Sequence, residues 1–186
     1  MLVLRPADAT ETTVVWKMAL ENKKTPTALI LSRQNIKDLP SDNDNRYRDA
    51  LNSEKGAYII QDCAGKPDII LIASGSEVAT LVDGALLLRR DELNVRIISA
   101  PSEGLFRNQP ESYRKSIIPE NTPVFGLTAG LSVTLQGLVG PGGFIWGMNS
   151  FGYSAPYKIL DEKFGFTAEN VYRQVNDYLA RYKSER

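Results

Sequence analysis

The chain contains no histidine, and this limits the chemistry that its own side chains can perform. Ser-His-Asp triads, Cys-His pairs and histidine-ligated zinc sites all need an imidazole, so none of them can form within this chain. The single cysteine, Cys63, has no histidine to activate it and no partner for an internal disulfide. We interpret Cys63 as a partly buried structural thiol, and we predict no catalytic residue and no metal ligand in this chain.

The motif Ser74-Gly75-Ser76-Glu77 is the first of two candidate anion-binding positions. It follows an apolar strand and opens a helical pattern, and the free N–H groups at a helix N-terminus attract anions. However, the motif is neither G-x-G-x-x-G nor a P-loop, it carries no lysine, and Glu77 would repel an anion. We therefore favour a strand-to-helix junction in which Ser74 or Ser76 caps the helix and Glu77 satisfies the helix end. An anion site at Ser74, Gly75 and Ser76 is the alternative.

Arg33 is the second candidate, because it follows an apolar strand and lies among Ser32, Gln34 and Asn35. An arginine at the carboxyl end of a parallel strand can bind a phosphate or a carboxylate through two parallel hydrogen bonds. Residue chemistry leaves two other interpretations of Arg33 open. It could be a solvated loop arginine, or it could form an internal ion pair.

Both candidates must be positioned by the strands and helices around them. Apolar runs predict strands at residues 2–4, 27–31, 57–61, 68–73, 95–99, 123–127 and 144–148. Apolar residues at helical spacing predict helices from a capping box at Asp8 and Glu11 and at residues 76–90, 131–139, 155–164 and 167–182. This alternation predicts an α/β fold, a three-layer α/β/α arrangement with a mostly parallel sheet, preceded by a partial α/β segment.

The polar, turn-rich residues 36–56 predict a linker or a long surface connection. We place a domain boundary within it, so that residues 1–50 end one domain and residues 51–186 form the next. The start of the chain lacks the features of a signal peptide and enters a strand directly, which predicts a chain cut from a longer one.

The amino-acid composition argues against two classes of partner, nucleic acids and membranes. Lysine plus arginine and aspartate plus glutamate each number 22, so the formal net charge is zero and no basic excess favours nucleic acid or an anionic membrane. The apolar runs are too short to span a bilayer. A single cysteine fits a reducing, cytoplasmic setting.

The sequence resembles the C-terminal part of transketolase, over essentially the whole chain, in four stretches: LRPADATE, PTALILSRQN, PDIILIASGSEV and FGYSAPYKILDEKFGFTAENV. The pairing of SRQN with FGYSAP and FGFTAENV resembles transketolase more than the other thiamine-diphosphate enzymes that share this domain. One departure is Leu127-Thr128-Ala129, where many relatives have Val-Glu-Ala.

The resemblance implies a three-domain enzyme that moves a two-carbon ketol unit from a ketose phosphate to an aldose phosphate, using thiamine diphosphate and Mg²⁺ or Ca²⁺. It implies a homodimer with active sites between subunits, and catalytic histidines and metal ligands in N-terminal domains of the same protein. The chain alone would then be inactive and would bind neither cofactor nor metal. Arg33 falls on the arginine of the family's SRQ motif, which contacts the sugar phosphate.

Two alternatives stay open at this point. The chain could be a stand-alone α/β anion-binding or regulatory module that uses the turn at residues 74–76. It could also be the natural C-terminal subunit of a split transketolase that pairs with an N-terminal partner.

Overall fold

A computed structural model describes residues 1–42 and 45–184 of the chain. Its first unit contains β1 (Leu2–Leu4), α1 (Ala9–Glu21) and β2 (Thr27–Leu29), and the two strands pair in parallel. The second strand was predicted to reach residue 31, and it ends earlier. Its neighbour β1 is followed by Pro6, which has no N–H with which to extend the ladder.

The capping box at the start of α1 is confirmed. Asp8 Oδ1 accepts the N–H of Glu11 at 2.7 Å, and the Glu11 carboxylate reaches back to the N–H of Ala7 at 2.9 Å. The predicted apolar face of the helix is buried at Val14 and Met18. These contacts fix α1 against the two strands.

The predicted linker is not uniformly irregular, since it contains α2 (Arg46–Ala50) and a following 3-10 turn (Leu51–Lys55). Asn45 caps α2 by accepting the N–H of Arg48 at 3.0 Å. The helix is too short and too polar to show an apolar period, and Arg46 attaches it to buried carboxylates of α1. Residues 43 and 44 of the predicted linker, and residues 185 and 186 of the predicted second domain, lie outside the described residues.

The second unit is built on a five-stranded sheet in the order β3-β5-β4-β6-β7. Its strands are β3 (Tyr58–Gln61), β4 (Ile69–Ala73), β5 (Val95–Ser99), β6 (Val124–Leu131) and β7 (Phe144–Met148). Only the β3–β5 pair is antiparallel within the described sheet. The mostly parallel sheet is therefore confirmed.

Helices cover both faces of this sheet. They are α3 (Glu77–Arg90), α4 (Glu103–Arg107), α5 (Glu111–Ile117), α6 (Gln136–Val139), α7 (Tyr157–Phe164) and α8 (Ala168–Ser184). Because successive strand residues point to opposite faces, Ile69 and Leu71 pack with α3 and α8, while Ile70 and Ile72 pack with α4, α5 and α6. The three-layer α/β/α arrangement is therefore confirmed.

The largest difference from the predicted elements follows residue 127. β6 continues to Leu131 through an irregular register against β7, and Thr128 Oγ1 accepts the N–H of Gly130 at 3.0 Å. The helix predicted at residues 131–139 is instead a 3-10 turn (Ser132–Leu135) followed by α6. Gly165, with φ of 73°, ends α7 as predicted.

Candidate functional site

The turn at residues 74–76 lies at the carboxyl end of β4, where the chain enters α3. Gly75 has φ of +68°, the left-handed region that favours glycine, and its N–H donates to the carbonyl of Arg5 at 3.1 Å. The Ser76 side chain makes no capping bond to the helix; its hydroxyl donates to Glu77 at 3.1 Å, and Ser74 Oγ accepts from Arg5. Ser76 therefore occupies the N-cap position of α3, as predicted, but its side chain does not cap the helix by a hydrogen bond.

Arg5 is the cation that binds this turn, and it was not predicted from the sequence. Its Nη2 donates to both carboxylate oxygens of Glu77 at 2.7 Å, and its Nη1 donates to the carbonyl of Ser74 at 2.8 Å. Arg5 directly follows β1, just as Arg33 follows the neighbouring parallel strand. Arg5 therefore has the same position past a parallel strand that made Arg33 a candidate.

Glu77 was predicted to satisfy the N-terminal end of its own helix, α3. Its side chain instead links three parts of the molecule. Its side chain is only 4% exposed, and it accepts the N–H of Ala129 at 2.6 Å in addition to the Arg5 guanidinium. Ala129 lies on β6, so the carboxylate bridges the carboxyl ends of β4 and β6. Ligands of open α/β sheets bind between strand ends of this kind, where the strand order reverses. Here the Arg5–Glu77 ion pair lies at that position.

The candidate anion site at Ser74, Gly75 and Ser76 stays a prediction. Its polar groups already form hydrogen bonds with Arg5 or Glu77; they are the Ser74 carbonyl, the Gly75 N–H and the hydroxyls of Ser74 and Ser76. An incoming anion would have to compete with a nearly buried carboxylate for the Arg5 guanidinium.

Arg33 lies in the loop that leaves β2. Its side chain is exposed, and within the described residues it makes no ion pair or hydrogen bond. Ser32 Oγ donates to the carbonyl of Gln34 at 3.0 Å and shapes the loop beside it. The guanidinium is therefore free to bind an anion from outside this chain.

The residues that follow Arg33 and the start of α3 border the same groove, which has a volume of about 280 Å³. One wall comes from the residues that follow Arg33, including Gln34 and Lys37, and the other from Ser76 and Glu77 at the start of α3. Lys37 Nζ lies 2.8 Å from Asp83 Oδ2 and joins the two walls. Arg33 itself does not line the groove, so the structure brings its loop, but not its side chain, to the turn.

A larger cleft, of about 820 Å³, separates the first unit from the carboxyl edge of the five-stranded sheet. Arg5 and Ser74 form part of its wall, and most of the remaining lining is apolar, including Val3, Ile30 and Leu138. Polar side chains also line it, among them Ser102, Glu103 and Asn108, but Arg5, the cation in its wall, is already paired with Glu77.

Four polar side chains form a buried cluster behind the Arg33 loop. Arg46 Nε donates to Asp8 Oδ2 at 2.7 Å, Arg46 Nη2 donates to Glu11 Oε1 at 3.2 Å, and the Tyr58 hydroxyl also donates to Glu11. Burial raises the pKa of Glu11, against the opposing effects of Tyr58 and Arg46. Burial, and then the Glu11 carboxylate, raise the pKa of Tyr58. The cluster connects α1, α2 and β3.

In the parts of the chain that the structure describes, no group of three or more His, Cys, Asp or Glu side chains could hold a metal ion. No helix of residues 1–42 and 45–184 is long and apolar enough to cross a membrane. Burial raises the pKa of the Cys63 thiol, which disfavours the reactive thiolate.

Known proteins resemble this chain across nearly all of it. Transketolase 2 of Aliivibrio fischeri is 41% identical over 181 residues, which cover 97% of this chain and 27% of that protein. A transketolase from Pichia stipitis, solved in complex with sedoheptulose-7-phosphate, superposes with a TM-score of 0.87 and 31% identity over 98% of this chain and 25% of that one. The chain therefore matches the C-terminal part of transketolases and spans about a quarter of their length.

A split-gene transketolase, solved as an inactive β4 tetramer, superposes with a TM-score of 0.75 over 96% of this chain and 57% of that one. At 20% identity this likeness shows the fold alone. The family model for the transketolase-like C-terminal domain matches residues 56–167, which is more than half of the sequence. The chain therefore belongs to the transketolase family, of which it carries the C-terminal domain.

Proposed function

We propose that this chain works as the C-terminal part of a transketolase and supplies one arginine, Arg33, to the sugar-phosphate site. The observation that carries the proposal is the free, exposed guanidinium of Arg33 just past a parallel strand, in a member of this family. The donor transfers a two-carbon ketol unit to an aldose phosphate, and Arg33 holds a phosphate that takes no part in bond breaking. Its two parallel N–H donors match two phosphate oxygens.

The cofactor and the metal belong to the N-terminal part of the whole enzyme in this proposal. The described residues contain no metal-ligand cluster, and the sequence contains no histidine. They therefore offer no ligand set for the Mg²⁺ or Ca²⁺ that accompanies thiamine diphosphate. The proposal includes N-terminal domains of the same protein as the partner, assembly of the whole enzyme as a homodimer, and a cytoplasmic location. We also place the domain boundary after residue 50.

The role of Arg33 is tested in the assembled enzyme with sedoheptulose-7-phosphate as donor and a saturating aldose acceptor. We expect Arg33→Ala to raise KM for this donor by about 10- to 100-fold, as loss of a charge-assisted phosphate contact does. The KM for unphosphorylated sedoheptulose should stay nearly constant, because it has no phosphate for the arginine to bind.

The control for this experiment is Arg48→Ala, which removes an exposed arginine from α2, outside the Arg33 loop. Its KM for both donors should equal that of the parent enzyme. An unchanged KM for sedoheptulose-7-phosphate in Arg33→Ala would remove Arg33 from the phosphate site.

The hypothesis of a split enzyme makes the same use of Arg33 and differs only in whether the N-terminal part is on a separate polypeptide. We expect this chain alone, with thiamine diphosphate and Mg²⁺, to show no ketol transfer. Activity that returns on mixing with a separately produced N-terminal part supports the split form, and activity only in a continuous chain supports a single polypeptide. Turnover by this chain alone would contradict the proposal.

A further inference from the structure

The loop that carries Arg33 is attached to the rest of the molecule at both ends. At its start, the N–H of Ile30 donates to the carbonyl of Leu4 at 2.9 Å and continues the pairing of β2 with β1. At its far end, the N–H of Leu39 donates to Asp8 Oδ2 at 3.1 Å. Between these two points the guanidinium of Arg33 is exposed and has no partner within the described residues.

Leu39 holds the far end of the loop through its side chain as well. The side chain is 5% exposed and lies in the hydrophobic core of the second unit, with Ala7, Tyr58 and Ile60. The exposed, polar Arg33 loop belongs to the first of the two predicted domains. Its last residue, Leu39, is buried in the core of the second. Few of the loop's other side chains are buried, so Leu39 determines where the loop ends.

Asp8 fixes the backbone of that anchor. Its carboxylate is fully buried: Oδ1 caps α1 at Glu11, and Oδ2 accepts both the Leu39 N–H and the Arg46 guanidinium. A buried carboxylate with every donor in place is rigid, because moving any one donor leaves charge unsatisfied. Asp8 thus places the end of the Arg33 loop relative to both α1 and α2.

We propose that Asp8 and Leu39 are positioning residues for Arg33, which set the phosphate contact without touching the sugar phosphate. This inference rests on the proposed role of Arg33. A binding group must be held within a fraction of an ångström by the residues behind it, so loosening the anchor weakens the phosphate contact. Binding of an unphosphorylated donor is unaffected, because Arg33 does not contribute to it.

The test uses two variants in the assembled enzyme. Asp8→Asn replaces one of the two acceptor oxygens with an NH2 group, which only donates, so the side chain can no longer accept from Glu11, Leu39 and Arg46 together. Leu39→Ala shortens the anchor and leaves the buried carboxylate intact. We expect each to raise KM for sedoheptulose-7-phosphate by about tenfold, with kcat and the KM for unphosphorylated sedoheptulose nearly unchanged. If Asp8→Asn fails to fold, Leu39→Ala carries the test alone.

A purely structural role is distinguished by a double-mutant comparison and by a control. Adding Leu39→Ala or Asp8→Asn to Arg33→Ala should produce no further increase in KM, because both act through Arg33. Tyr58→Phe removes another hydrogen bond of the same cluster, to Glu11, while it keeps the aromatic ring in the core that Leu39 shares and both hydrogen bonds to Asp8 Oδ2. It should lower the melting temperature and leave KM unchanged.

The outcomes separate the two proposals. If Arg33→Ala itself leaves KM unchanged, the proposed role of Arg33 fails and this inference fails with it. If Arg33→Ala raises KM but Asp8→Asn and Leu39→Ala do not, only the positioning role is overturned. The same holds if these two variants raise KM equally for both donors, or raise it further when added to Arg33→Ala.

Discussion

Arg46 neutralises the buried carboxylates of the first unit. Its guanidinium is 12% exposed and lies 2.7 Å from Asp8 and 3.2 Å from Glu11, both of which are fully buried. Removing one partner of a buried ion pair leaves an uncompensated charge, at a typical cost of about 3–5 kcal/mol. We expect Arg46→Met to lower the free energy of unfolding by about that amount near neutral pH, measured by urea denaturation.

The same variant should be less harmful in acid. Burial already raises the pKa of Glu11 above its ordinary value of 4.5, and loss of Arg46 removes one of the interactions that oppose this rise. A carboxyl whose pKa rises on folding destabilises the folded state as pH increases from its unfolded pKa to its folded one. The deficit of Arg46→Met should therefore be small near pH 4 and grow toward pH 7. Arg48→Met, at an exposed position of the same helix, is the control, and an equal loss in both variants would contradict the prediction.

At the scale of single residues, the sequence revealed chemical type but not pairing. Arg33 was selected because its position past a strand depends only on local sequence, and the same rule applies to Arg5. The partner of Arg5 was not predictable, because Glu77 lies 72 positions away and the two meet only when the units pack together. For the same reason Arg46 could not be recognised as the partner of Asp8.

At the scale of elements, strands with a continuous apolar run were predicted well. β5 and β7 have the predicted bounds, because each is a mostly apolar run beside turn-forming residues: Pro101 follows β5 and Gly143 precedes β7. α2 was missed because its stability comes from a distant ion pair, and β6 was predicted too short because its last residues pair irregularly with β7. Elements that depend on non-local contacts were therefore the ones that sequence patterns did not predict.

The turn between β4 and α3 gives an element-scale prediction. A Cβ on Gly75 would lie 2.7 Å from Arg5 Nε, and φ there is +68°, so an alanine is strained and also displaces the guanidinium from Glu77. We expect Gly75→Ala to destabilise the protein by about 2–4 kcal/mol in urea denaturation. Gly65→Ala is the matched control, because φ is +77° and nothing lies within 4 Å of its Cβ, so only about 1 kcal/mol should be lost. Equal losses in the two variants would mean that Arg5 does not hold the turn.

At the scale of the whole molecule, the sheets of the two units differ in how far other parts of the chain bury them. β4 and β5 are central strands in which every residue is buried, whereas β1 and β2 form a separate two-stranded sheet beside which Met1, Val3, Ile30 and Leu31 are exposed. Two short parallel strands give little stability alone, and exposed apolar side chains of this kind are typical of a surface that another segment covers. Local opening should therefore cost much less free energy in the first unit than in the second.

Hydrogen exchange followed by mass spectrometry measures this difference directly. In this chain alone, peptides of β4 and β5 should exchange only through global unfolding, while peptides of β1 and β2 should exchange faster by about 100-fold or more. Assembly with the proposed N-terminal part should slow exchange in β1, β2 and the Arg33 loop, and leave the central strands unchanged. Uniform protection of both units in the isolated chain would show that Arg5, Leu39 and Arg46 already join them into one cooperative body, and that the N-terminal part is not needed to complete the first sheet.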